Sequence, residues 1–189
     1  MRRVLTTIIS LVFATALFAQ EAHLKFKGVP IDGSLTEFVS RMKTAGFTHI
    51  GTKDGIAILE GDFAGYKNCN VGVYTVKPLN IVSQIVVLFD NKYNWSVLES
   101  DYNLLKELLT EKYGAPTQVI EEFESTYIDD DDKLYELSMD RGTWASLFET
   151  EPGEIELLIH SEGLESRVVL YYRDKINTEK VRQQALEDL

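Results

Sequence analysis

The residues of this 189-residue chain best suited to chemistry are a run of carboxylates, three histidines, one thiol and a set of strand-borne aromatics. Asp129-Asp130-Asp131-Asp132 is the densest run of oxygen ligands, and clustered carboxylates are what hard cations require. No glycine stands at its sixth position, where a calcium loop makes its sharp turn, so the run reads as a solvated, self-repelling insertion and no metal site is assigned. His23, His49 and His160 are scattered and lack the spacing of a zinc motif. Glu121 and Glu122 are adjacent on one strand, so their carboxylates face opposite sides and cannot flank a single bond. No nucleophile elbow or glycine-rich phosphate cradle occurs, so the sequence names no catalytic residue and no cofactor. Cys69 is the single cysteine, which rules out an internal disulfide; beside a strand it reads as a small half-buried residue. The aromatics are the remaining lead. Tyr66, Tyr74, Tyr127, Trp144 and Phe148 fall on strands or strand ends. In a sheet covered on one face, those on the open face would form a platform for a partner, and these five are the candidate binding residues.

Met1-Arg2-Arg3 followed by the apolar run Val4 to Ala19 has the pattern of a signal peptide over residues 1–19, cut after Ala19 or Gln20. The run is too short and too interrupted by Ser and Thr to span a bilayer comfortably, so no stable membrane insertion is expected after its removal. An exported protein, periplasmic or extracellular, is the implied localisation. The chain holds 19 basic residues against 30 acidic ones. That balance opposes nucleic-acid binding, which needs a basic stripe to displace counterions.

Two helices are written out by their ends. Ser34-Leu35-Thr36-Glu37 is a capping box opening a helix with Leu35, Phe38, Val39, Met42 and Ala45 on one face. Ser96 to Glu99 has the same spacing and opens a longer helix with Leu98, Tyr102, Leu105 and Leu109 in one stripe. Gly114 and Pro116 stop it. After each helix the period changes to two. Short strands run over 47–51, 56–63, 71–76 and 82–90, and then over 117–123, 134–139, 143–148, 155–160 and 167–172. A short edge strand over 24–29 precedes them, and a helix from Thr178 to Leu189 closes the chain with Val181, Ala185 and Leu189 on one face.

The two halves share markers. Val86-Val87-Leu88-Phe89 resembles Val168-Val169-Leu170-Tyr171, and the same residue offset separates Ser96 from Thr178. The expected architecture is therefore α+β: two tandem helix-plus-antiparallel-meander units, residues 20–95 and 96–189, with the C-terminal helix covering the second sheet. The Lys27-to-Leu35 opening, the Glu111-to-Thr117 helix end and the Asp174-to-Asn177 tail resemble a family of small exported bacterial proteins of uncharacterised function. The repeated order is also similar in architecture to the tandem units of the beta-lactamase inhibitor protein and to the outer-membrane assembly lipoprotein BamE, whose lipid-attachment cysteine this chain lacks. The shared motifs are structural and transfer no activity; the strand-borne aromatics, with no catalytic motif, point to a non-enzymatic protein-interaction or ligand-binding module whose partner is another envelope or extracellular protein. The alternative is an envelope enzyme or small-ligand carrier with a cleft between the units. The oligomeric state stays open.

Overall fold

A computed structural model describes residues 22–77, 79–163 and 165–187. The expected signal peptide over residues 1–19, Pro78 and Leu189 lie outside the described residues. The fold is α+β. A two-stranded hairpin, β1 (Lys25–Phe26) and β2 (Val29–Pro30), precedes α1 (Leu35–Thr44). Four strands follow, β3 (Thr48–Lys53), β4 (Ile56–Phe63), β5 (Tyr66–Val76) and β6 (Ile81–Leu88). After α2 (Trp95–Tyr113) come β7 (Gln118–Phe123), α3 (Asp130–Ser138), β8 (Gly142–Thr150), β9 (Gly153–Glu162), β10 (Glu165–Asp174) and α4 (Lys175–Glu187).

The two expected sheets are one. Eight antiparallel strands run in the order β3-β4-β5-β6-β10-β9-β8-β7, so the last strand of the chain lies in the middle beside β6. There Leu170 stands opposite Val87 and Val169 opposite Leu88. Successive residues alternate between faces. Val87, Val168, Leu170 and Tyr172 therefore turn toward α1 and α2 and join one continuous buried core, whereas Val86, Leu88, Val169 and Tyr171 turn the other way. No described helix is long and apolar enough to cross a membrane.

The first capping box is built as the sequence specifies: Ser34 N–H donates to Glu37 Oε2 at 2.9 Å and Glu37 N–H to Ser34 Oγ at 3.4 Å. The second is not. Asn94 is the N-cap of α2, its side-chain oxygen accepting Val97 N–H at 3.3 Å, and Ser96 donates its hydroxyl to that same oxygen. The reason is Trp95, which is buried against Phe123 and Trp144 and draws the first turn two residues earlier than a Ser96 cap would allow. At the other end Gly114 adopts φ +89°, a conformation that favours glycine, and stops the helix. Between them Leu98, Tyr102, Leu105 and Leu109 are buried as one stripe, and Tyr102 shares a 2.6 Å hydroxyl–hydroxyl hydrogen bond with buried Ser146 of β8.

Three further elements differ from expectation. Residues 24–29 make the β1–β2 hairpin and not a single strand. Residues 134–139, expected as a strand, belong mostly to α3, and the aspartate run is the start of this helix and not a loose insertion. Asp130, Asp131 and Asp132 lie in its first turn, where the unpaired amides favour negative charge; Leu137 in its last turn reaches the core. Finally, α4 starts at Lys175, three residues early, and does not cover the second sheet: Asn177 is its one buried residue among those described.

That first turn of α4 holds a polar knot. Asp174 and Asn177 have no exposed surface. Asp174 accepts Leu24 N–H at 2.8 Å and Asn177 N–H at 2.9 Å, and its Oδ1 lies 3.0 Å from His23 Nδ1. The Asn177 amide shares its two hydrogens among Ile31 O, Asp32 Oδ1 and Val82 O at 2.9–3.1 Å. The N-terminal segment, β6, β10 and α4 are thereby tied at one point. Partial burial would raise the Asp32 carboxyl, but the bonds from Asn177 and Gly33 N–H, with His23 and Lys180 nearby, hold it below its usual range.

Buried carbonyls left without a donor are costly, so Asn177→Ala is expected to destabilise the fold by roughly 2–4 kcal/mol, read from denaturant unfolding. A carboxyl lowered by folding adds stability that is present above its unfolded value near 3.8 and is lost as the pH falls through its lower folded value. Stability should therefore drop below about pH 4, and Asp32→Asn should make that acid limb shallower.

Candidate binding face

Among the described residues the helices cover one side of the sheet and leave the other open, and the register decides which aromatics reach it. Tyr74 of β5 lies opposite Gln84, and Tyr171 of β10 opposite Val86, all on the open side. Gly72 lies two residues before Tyr74 on the same face. A Cβ there would stand 2.9 Å from Tyr74 Cε2, so the tyrosine ring folds back over the glycine and lies along the sheet. Tyr74 and Tyr171 flank a hollow of about 330 Å³ over the four middle strands, with Val86, Leu88 and Val169 as its floor. Although these side chains point away from the helices, Val86 is only 5% exposed and Val169 only 2%.

Polar groups rim this apolar floor. The Arg173 guanidinium lies 4.9 Å from the Tyr171 ring centroid and donates to Glu156 at 2.6 Å. Arg167 donates to Glu165 at 2.6 Å, and His160 and Glu162 complete the edge. Burial, with Glu156 close by, pushes the Tyr171 phenol above its usual value, so at neutral pH it is an uncharged hydroxyl able to donate.

The five residues singled out in the sequence do not converge. Tyr74 is on the open face. Tyr66 is half-buried on the helix side, edge-on to Phe89 with ring centroids 4.9 Å apart, and donates its hydroxyl to Asp101 at 2.9 Å. Trp144 packs against Trp95 and Phe123 on the helix side, each with centroids 4.8 Å away. Phe148, on the same side of β8, is 1% exposed; it is a core residue, and no partner reaches it without unpacking the sheet. Tyr127 is 94% exposed, beside a polar cleft between the segment before α3 and α3 itself.

Tyr171, Gly72 and Arg173 belong to the open-face site and were not among those five. Tyr171 and Tyr172 are adjacent aromatics in an apolar strand, and only the register shows that Tyr172 is core and Tyr171 is surface.

The other candidate groups are dispersed. His23 lies in the polar knot, His49 bonds Thr52 at 3.1 Å on the edge strand β3, and His160 rims the open face. Glu121 turns to the helix side and pairs with Lys106, while Glu122 turns away from it. Among the described residues no group of three or more His, Cys, Asp or Glu side chains is placed to hold a metal ion. Compared with protein-family models, with curated proteins and with solved structures, the chain matches none.

Cys69 is buried, and burial raises its thiol above the usual range. An aromatic disulfide reagent should accordingly leave it untouched in the native protein and react once denaturant unfolds the chain, as followed by release of the coloured thiolate.

Proposed function

We propose that the protein is an exported, non-enzymatic binding module whose open sheet face receives a folded protein. The observation that carries this reading is the hollow between Tyr74 and Tyr171 at the middle of an uncovered eight-stranded sheet. At about 4.8 Å between strands and about 3.3 Å per residue, the face spans on the order of 900 Å², close to the roughly 800 Å² that each partner contributes to a stable complex. Tyrosine and arginine over a desolvated floor at the centre, with charged residues outside, is also the composition of an interface hot spot. The alternating acidic and basic rim suits a partner surface of mixed charge.

The face also fits a duplicated origin. Two helix-plus-meander units joined through their final strands would give the strand order seen, with β6 and β10 as equivalents. A two-fold axis through the sheet, with helices on the same side of both units, matches Val87 to Leu170 and Phe89 to Tyr172. That is one residue more than the offset read from sequence, because a shift of one would place equivalent side chains on opposite faces. The same alignment brings Asn91-Lys92-Tyr93-Asn94 onto Asp174-Lys175-Ile176-Asn177.

The test is retention of a partner from native envelope and culture-supernatant fractions on the immobilised protein, followed by affinity measurement with the purified partner. The double variant Tyr74→Ala/Tyr171→Ala should bind at least roughly thirtyfold more weakly, equivalent to about 2 kcal/mol. Leu104→Ala, on the exposed side of α2, should bind like the parent. Equal binding by the double variant and the parent would remove the open face as the site.

A further inference from the structure

On the opposite side of the sheet from Tyr74, the C-terminal half of α2 stands apart from the β4–β5 turn and leaves a second concavity, a groove of about 510 Å³. Its floor is Leu170 and Tyr172 of β10; Leu108 and Leu109 form one wall, and Phe63 and Ala64 form the other. The lining is predominantly apolar and the volume is that of a small-molecule site. It is too small to hold a helix or a strand of a partner.

The polar groups of the groove gather at the end of α2. Lys112 places its ammonium 4.8 Å from the Tyr113 ring centroid, and among the described residues no carboxylate pairs with it. The neighbouring lysine of the same helix, Lys106, is by contrast held by Glu121. Tyr113 and Tyr172 both line the groove, so phenolic side chains share it with the Lys112 ammonium. Glu111 is the one acidic residue of the lining, and its side chain is exposed to solvent.

We infer that this groove binds a medium-chain aliphatic monocarboxylate, its chain lying between α2 and the β4–β5 turn and its carboxylate on Lys112 and the Tyr113 hydroxyl. Apolar walls without a converging polar group along their length select a hydrocarbon body. An unpaired ammonium beside a hydroxyl donor selects an anionic head, since charge-assisted bonds to a carboxylate are stronger than those to a neutral group. From Leu105 to Tyr113 the helix rises eight steps, about 12 Å at 1.5 Å each, which matches an extended chain of medium length.

The site is independent of the open face, and its test uses defined amphiphiles. Octanoate, decanoate, decanol and decylammonium are each titrated into the protein below their critical micelle concentrations, with leucine methyl resonances and calorimetry as readouts. Decanoate is expected to bind saturably and shift the Leu108, Leu109 and Leu170 methyls. It should bind about fifteenfold tighter than octanoate, because each of its two further buried methylenes contributes roughly fourfold. Decanol and decylammonium should bind more weakly than decanoate. Lys112→Glu should weaken decanoate at least tenfold, Glu111→Gln should leave it equal or tighter, and Leu108→Gln should abolish the methyl shifts; thermal melts verify that each variant is folded. Absence of saturable decanoate binding, equal affinity for decanol or decylammonium, or indifference to Lys112→Glu or Leu108→Gln would overturn the assignment.

Discussion

The pairing of β6 with β10 is the constraint on which the rest of the molecule depends. Without it there would be two meanders, each ending in an apolar strand with an unsatisfied edge, and edges of that kind recruit other chains. With it, the two strands richest in valine and leucine become the centre of one sheet. Side chains on both of their faces are then withdrawn from water: Val87 and Leu170 beneath the helices, Val86 and Val169 on the side no described helix reaches. Burial on both faces is the reason these strands read as continuous apolar runs and not as an alternation.

The same pairing creates both concavities. On the open side it sets Tyr74 and Tyr171 on either side of a common floor. On the helical side it places β10 under the C-terminal half of α2, where Leu170 and Tyr172 form the floor of the groove. Rigidity at both sites comes from below: the tyrosine over Gly72 and the leucines of α2 stand on a fully hydrogen-bonded sheet and not on mobile loops, which preserves the shape a partner or ligand must match.

Much of the fold was legible because its signals are local. The Ser34–Glu37 box, the stripe on α2 and the glycine that ends it are satisfied within a few residues, and they appear as written. The start of α2 was misread because two asparagine and serine caps compete there, and the choice between them depends on the distant rings of Phe123 and Trp144 packing on Trp95. In α3 a helix replaces the strand expected over 134–139, because three aspartates before it favour a helix N-terminus. The site was less legible. Strand β8 carries apolar residues on both faces, with Trp144 and Phe148 toward the helices and Ala145 and Leu147 away from them. No alternation marks which side is wet, and facing is decided by pairing partners far away in sequence.

Because β10 is central in space yet last among the strands, folding cannot be completed from the N-terminal end. Leu24 and His23 are anchored by Asp174; until that carboxylate has been synthesised, this tie is missing and β6 has no second neighbour. Nearly every residue must be present before the sheet closes. A sheet closed by its last strand depends on long-range contacts, and such contacts slow folding.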